Sequence, residues 1–391
     1  MRQSTQGARL RTRRSLEERL SLPANRAAPR PASGSLRVID ATGWDPSAWD
    51  GLAVRTPMGE AFQSHAWGEL KRSLGWTPLR YVIELNDARI GCVSIQERPL
   101  LGRRAGPLGR LRIHYAPRGP VLLSSEPGTA DAVLAGLRQI GRARGSVTLT
   151  VDPAWGVDSV PAAALTGSGF RVAARDVQVS RTAMIVPLEA SEAAQRERLG
   201  HTTLQDITKA LAAGVTTENV DLMDATASDA ALAEFYDIHA ATGRREGFIV
   251  RDRAYELDQW RRLGASGVAS LWFAGAGGRD TGALLLHCGE LLVYFAAGSR
   301  DGADMRRTRA NHLLQWRIIR WAAEAGFRGY DMGGVDTQSA QGVPQDESHP
   351  LWNLYLFKRR FGGVSTIRIH AYEYAPNKVL GVAWRLARRF R

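Results

Sequence analysis

The chain has 391 residues, 44% of them hydrophobic, and a net charge of +13, which is length for two ordinary domains and material for a buried core. No apolar run approaches the ~18 residues that cross a bilayer, and no apolar signal-peptide core is evident, so a cytoplasmic location is expected. The two cysteines, Cys92 and Cys288, are far apart, which excludes a disulfide framework and a cysteine metal cluster.

The charge sits at the ends. Residues 1–33 hold eight Arg against two Glu, and residues 358–391 hold nine Lys plus Arg against one Glu, so the body between them is nearly neutral. Such ends suit a polyanion, either RNA or an anionic membrane face, although solubilising tails would have the same composition. Lysine is rare: four residues (71, 209, 358 and 378) against 48 Arg. Where arginine supplies ordinary positive charge, a retained lysine points to a need for a compact ammonium that can shed its proton when desolvated.

Residues 1–34 lack apolar periodicity and read as a disordered basic tail. A helix is expected over Ser64–Leu74, with Trp67, Leu70 and Leu74 on one face. Strands follow at Leu79–Leu85, Ile90–Gln96 and Leu111–Ala116, with Asn86-Asp87 as the first turn. A helix over Ala130–Ala143 leads to a strand at Ser146–Val151. The second half repeats this order: strands Val268–Ala274, Ala283–Cys288 and Leu291–Ala297, a helix Asn311–Ala325, and a short strand near Tyr330–Met332. Meander, helix, strand thus occurs twice, as two copies of one α+β unit would produce.

The chain has no HExxH, no Cys-x-x-Cys and no Gly-x-Ser-x-Gly, and its eight histidines are scattered. The Gly275–Gly278 cluster lies between two expected strands, where phosphate would meet no free helix-start amides, so it reads as a hairpin turn. Metal hydrolysis, serine hydrolysis and nicotinamide chemistry lack their minimal equipment; no metal and no cofactor is expected.

Three segments in order resemble the Fem (FemXAB) family of peptidoglycan bridge-forming aminoacyl transferases. They are Gln63–Lys71 with Leu74-Gly75-Trp76; Pro117-Arg118-Gly119-Pro120-Val121; and a longer set of Tyr294, Gly298-Ser299, Arg309–Trp316, Tyr330–Gly334 and Leu356–Gly363. The resemblance implies an α+β fold with two tandem GNAT-like (acyl-CoA N-acyltransferase-like) domains, each a mixed β-sheet flanked by helices. The expected division is 35–185, completed by 364–391, and 186–363. It also implies transfer of an amino acid from aminoacyl-tRNA to an amine of a peptidoglycan precursor, either lipid II or UDP-MurNAc-pentapeptide. By motif, Lys71 and Arg72, helped by Arg251 and Tyr255, would meet the precursor's phosphates, and Arg118 joins this binding set. Tyr294 would line the site, and Phe357 and Lys358 would lie beside the reacting centre.

The sequence departs from the family where an acidic residue often follows Pro-Arg-Gly-Pro-Val: here stand Leu122 and Leu123. A carboxylate base is therefore not expected there. Pro187–Glu218 is too short for a long inserted coiled coil, and Val335–Pro350 is unusually long and polar. Without the resemblance, Lys71 reads equally as a solvated helix residue, Lys358 as part of a charge run, Tyr294 as core, and Arg118 as a loop pin. The rivals are a CoA-dependent GNAT acetyltransferase, whose phosphate-binding turn is missing before Asn311, a lipid-headgroup aminoacyltransferase, and a non-catalytic RNA-binding protein. Finally, Val379, Val382, Ala383, Leu386 and Phe390 form one stripe of a C-terminal helix with Arg385, Arg388 and Arg389 opposite, a pattern suited to peripheral contact with the inner membrane face.

Overall fold

The computed structural model describes residues 34–100, 109, 111–178, 180–300, 307–336, 339 and 342–389. The expected basic tail lies, but for residue 34, outside them. In chain order the elements are β1 (Leu36–Asp40), α1 (Pro46–Ala53), a 3-10 turn (Ala61–Gln63), α2 (His65–Ser73), β2 (Thr77–Leu85), β3 (Ala88–Pro99), β4 (Arg112–Ala116) and β5 (Val121–Leu122). Next come α3 (Thr129–Ala143), β6 (Ser146–Val151), α4 (Val160–Gly167), β7 (Arg171–Val172), β8 (Thr182–Pro187), α5 (Glu192–Glu197), α6 (His201–Ala212) and β9 (Thr216–Val220). The rest are α7 (Ala225–Glu246), α8 (Arg253–Ala265), β10 (Ala269–Gly275), β11 (Thr281–Cys288), β12 (Leu291–Ser299), α9 (Ala310–Glu324), β13 (Gly329–Asp331), α10 (Trp352–Arg360), β14 (Val364–Ile367), β15 (Tyr372–Tyr374) and α11 (Lys378–Arg389).

The chain forms two compact units. The first holds the described residues up to Ala41, Leu79–Gln178 and those from Arg368 onward; the second holds Thr42–Pro78 and the described residues up to Ile367. The segment 42–78, counted with the first domain on sequence grounds, thus clusters with the second unit, because α2 lies against α8.

The first unit is a sheet of order β1-β2-β3-β4-β6-β15-β7, with β5 on β3. Its β4 and β6 are parallel, and the amphipathic α3 lies between them in sequence. The hairpin from β2 to β3 turns at Asn86-Asp87, both left-handed (φ 52° and 63°), the geometry of a type I′ turn. Its core gathers Ile83, Val93, Ile95, Leu134, Leu137 and Leu149.

The second unit is a sheet of order β14-β8-β13-β12-β11-β10-β9. Here β12 and β13 are the parallel pair, and α9 is the intervening helix. A parallel neighbour needs a crossover rather than a tight turn, so both halves solve one problem the same way. Leu313, Leu314, Trp316, Ile318 and Ile319 bury a broad face of α9 against the sheet. Both units are mixed sheets flanked by helices, the expected α+β class. The glycine-rich segment after β10 is a hairpin turn, and α5 and α6 are the two short helices that fill Pro187–Glu218.

Candidate active site

Two lysines, Lys71 half-buried and Lys358 buried, organise the second unit. The first stands on α2, whose N-cap Ser64 accepts a hydrogen bond from the Trp67 amide at 3.1 Å. Four residues along one face separate Trp67 from Lys71, and the Lys71 ammonium lies 4.3 Å from the Trp67 ring centroid. The facing helix α8, capped by Asp252, brings Tyr255, whose hydroxyl accepts a hydrogen bond from Lys71 Nζ at 2.8 Å. Arg251 stacks on the other partner: its guanidinium carbon is 5.1 Å from the Tyr255 ring centroid. Burial, with Arg251 adding to it and Glu256 opposing it, pulls the Lys71 pKa down to about 8. Burial likewise raises the Glu256 carboxyl. The result is a concentrated positive site with two tyrosine and tryptophan faces, suited to an oxyanion of high charge.

Arg72, the neighbour of Lys71, points elsewhere. Its Nε donates to Glu69 at 2.7 Å, on an exposed part of α2. Lys71, Arg251 and Tyr255 are thus brought together, and Arg72 is engaged on its own helix.

The second lysine stands in the last turn of α10. Lys358 is only 5% exposed, and its Nζ donates to the Gly334 carbonyl at 2.8 Å. Burial lowers its pKa to about 8, against the pull of the Asp331 charge. The Met332-Gly333-Gly334 segment that follows β13 holds this carbonyl in place. Asp331 accepts a hydrogen bond from the Gly333 amide at 2.7 Å, and Gly333 is left-handed (φ 80°). A Cβ at Gly334 would lie 2.1 Å from Ser180 Oγ, so this close approach needs glycine.

Phe357 flanks Lys358 and lies edge-on to the His312 ring at 5.2 Å. His312 Nε2 is 3.5 Å from Asp206, which also meets Arg309 at 3.3 Å and Lys209 at 3.6 Å. Burial lowers the His312 pKa; Asp206 opposes this, and Arg309 and Arg360 reinforce it. Sequence reasoning gave His312 and Asp206 no role. The available signal was that His312 falls inside the Arg309–Trp316 motif.

Tyr294 is on β12, partly buried against the core, with its ring edge-on to Tyr330 at 6.3 Å. Burial raises its phenol. On the neighbouring strand Leu284 pairs with Ala296 and Leu285 with Tyr294, so Phe295 is the extra residue of a β-bulge. Phe295 lies 5.9 Å from Phe62, which in turn lies 4.4 Å from Trp67. An aromatic chain therefore runs from the Lys71 site to the strand that carries Tyr294.

Arg118 belongs to the first unit. It is left-handed (φ 54°), and its amide donates to Asp152 Oδ1 at 2.6 Å. Tyr115 Oη and Gln178 Nε2 donate to the other oxygen at 2.8 and 3.0 Å. Burial raises the Asp152 pKa, and the Arg118 charge, the Arg118 amide and these donors oppose it. This carboxylate, missed in the sequence, fixes the Pro-Arg-Gly-Pro loop. Among the described residues, no group of three or more His, Cys, Asp or Glu could hold a metal ion.

A profile of the acetyltransferase (GNAT) domain matches residues 202–340. A crystal structure of FemX superposes on the chain with a TM-score of 0.72 at 20% identity, covering 89% of this chain and 100% of that one. The fold is that of FemX. The sequence is also similar to a lipid II:glycine glycyltransferase of Staphylococcus saprophyticus, 21% identical, with 85% of this chain and 92% of that protein covered. The corresponding protein of Staphylococcus aureus strain MRSA252 is 21% identical over 85% of this chain and 91% of its own. The resemblance read from the motifs thus extends along most of the chain, and the FemX-like fold accounts for the tandem GNAT-like units.

Proposed function

We propose that the chain is an aminoacyltransferase that moves an amino acid from aminoacyl-tRNA to an amine of a peptidoglycan precursor stem peptide, forming part of the interpeptide bridge. The observation that carries this reading is Lys358: a lysine 5% exposed, held on the Gly334 carbonyl beside Phe357, within the most specific of the Fem-like motifs. The similarity to lipid II:glycine glycyltransferases supports the acceptor class.

The chemistry needs little beyond orientation and charge. The neutral acceptor amine attacks the ester carbonyl of the aminoacyl-tRNA, and a C–N bond forms as the carbonyl electrons move to oxygen. Collapse of this tetrahedral species breaks the bond to the ribose oxygen, which takes a proton, while the new ammonium loses one to water or to a substrate phosphate. Lys358, protonated at neutral pH, supplies positive charge to the oxyanion or to the departing ribose oxygen. Lys71, Arg251 and Tyr255 hold the precursor's phosphates, and Tyr294 and Phe357 wall the reacting end.

The reaction requires no cofactor. The C-terminal helix supports work at the inner membrane face: Val379, Val382 and Leu386 are exposed on α11, Val379 to 78%, whereas Gly381 turns inward against Ala375. An apolar stripe turned outward on a basic helix favours an anionic bilayer.

The test is incubation of the purified protein with radiolabelled aminoacyl-tRNAs and lysine-, ornithine- or diaminopimelate-containing precursors, beside a Lys358→Ala control. A product heavier by one amino-acid residue, lost in the variant, is expected. Acetyl transfer from CoA with no transfer from any aminoacyl-tRNA would replace this reading with a GNAT acetyltransferase.

A further inference from the structure

The connection between α7 and α8 presents the most exposed large apolar side chain among the described residues: Ile249, 95% exposed, next to Phe248 at 42%. Single exposed hydrophobic residues are ordinary, so the case rests on how this one is held. Gly247 ends α7 in a left-handed turn (φ 77°). The Phe248 ring then lies 5.4 Å from His239, and the Arg251 carbonyl accepts a hydrogen bond from Tyr236 Oη at 3.1 Å. Val250 sits so close to Gly243 that a Cβ there would meet its Cγ2 at 2.5 Å. Both sides of the loop are therefore fixed to α7, and the Ile249 side chain between them is turned out to solvent. Arg244, Arg245, Arg251 and Arg253 flank it, against Glu246, Asp252 and Asp237; Arg245 pairs with Glu246 and Arg253 with Asp237, and a small positive excess remains. Arg251 is also a member of the Lys71–Tyr255 site.

We infer that the Phe248-Ile249 tip is a membrane-docking wedge, which enters the interface of an anionic bilayer while Arg251 and Lys71 bind the phosphates of an acceptor carried in that bilayer. The charge balance argues for an anionic partner, and the apolar tip argues for hydrocarbon: Ile249 has no ring face to stack on a base and the Phe248 ring is already set against His239, so RNA would leave the tip unrewarded. Deepening the proposed function, this inference rests on that reading for the identity of the acceptor, and it assigns the site to the lipid-linked rather than the nucleotide-linked form.

The test uses the full chain and Ile249→Ser, sedimented with vesicles of phosphatidylglycerol and phosphatidylcholine and with phosphatidylcholine alone. Transfer is then measured to a lipid-linked acceptor in the anionic vesicles and to the soluble nucleotide-linked acceptor. The variant is expected to bind anionic vesicles about tenfold more weakly, part of what full burial of an isoleucine contributes. Transfer to the vesicle-borne acceptor should fall by a similar factor, with the soluble reaction unchanged. In parallel, Ile249→Cys carrying a polarity-sensitive fluorophore should shift to the blue on anionic vesicles; Cys92 and Cys288 are buried, so labelling is selective. Unaltered vesicle binding of the serine variant, no emission shift, or an equal loss with both acceptors overturns the wedge. Should the wild-type chain transfer to neither acceptor, the reading of the reaction fails, and the sedimentation and emission arms still decide the wedge.

Discussion

Replacing Lys358 by methionine should make the protein more stable and inactive at once. In the folded chain the Lys358 pKa falls from 10.5 to about 8 because the ammonium is taken out of water. A shift of that size opposes folding by about 3 kcal/mol at neutral pH. Methionine removes the charge and fits a similar volume, but leaves the Gly334 carbonyl without its donor, a loss of about 1 kcal/mol. The expected net gain is about 2 kcal/mol. The sign can be checked with pH. Because the folded pKa is the lower one, the unfolded chain binds more protons between about pH 8 and 10.5; the destabilisation is full below 8 and fades across that window. Urea unfolding of wild type and Lys358→Met at pH 7 and pH 10.5 should therefore show an advantage for the variant that disappears at the higher pH, while transfer is lost throughout. A variant less stable at pH 7, or an offset equal at both pH values, would refute the reasoning. Stability given up at one buried position in this way is the signature of a residue kept for chemistry.

Tyr255→Phe deletes the hydroxyl that accepts from Lys71 but keeps the ring under Arg251; steady-state kinetics should show a several-fold higher KM for the precursor with kcat little changed, since only ground-state positioning is lost. Asp152→Ala strands the Arg118 amide and the Tyr115 hydroxyl in a buried place, and a thermal unfolding midpoint should register a loss of about 2–3 kcal/mol. Gly298→Ala would put a Cβ 2.8 Å from the Ile238 carbonyl oxygen and the His239 amide of α7; because backbone atoms cannot step aside, urea titration should show destabilisation of about 2 kcal/mol or more.

Local signals carried well. Helices α2 and α9, the Asn86-Asp87 turn and the two β-meanders follow from local pattern, and most element ends lie within about two residues of where it puts them; β3 runs three residues past Gln96 to Pro99, and Leu74, counted on the apolar face of α2, lies beyond its end and is exposed. Trp67 under Lys71 could also have been read, as an aromatic four residues earlier on one helix face. The contacts that escaped are long-range. Asp152 meets Arg118 across 34 residues and Lys358 meets Gly334 across 24, and nothing in either local pattern states the partner. Arg72 shows the converse: the motif placed it beside Lys71, but one residue along a helix is a rotation of roughly 100°, which delivers it to Glu69. The bulge at Phe295 is equally silent in the sequence, since an extra residue in one strand shows only when its partner strand is in view.

The route of the chain through its sheets sets the order in which they can be finished. β15 inserts between β6 and β7, pairing Tyr372 with Val151 on one side and with Val172 on the other. During synthesis the first half of the chain must therefore wait, with β6 lacking a neighbour, while some two hundred residues of the second unit emerge. An open strand of that kind invites pairing with other chains. A protein cut just before Arg368 would keep Lys71, Lys358 and the partners of each and yet be the form most prone to aggregate.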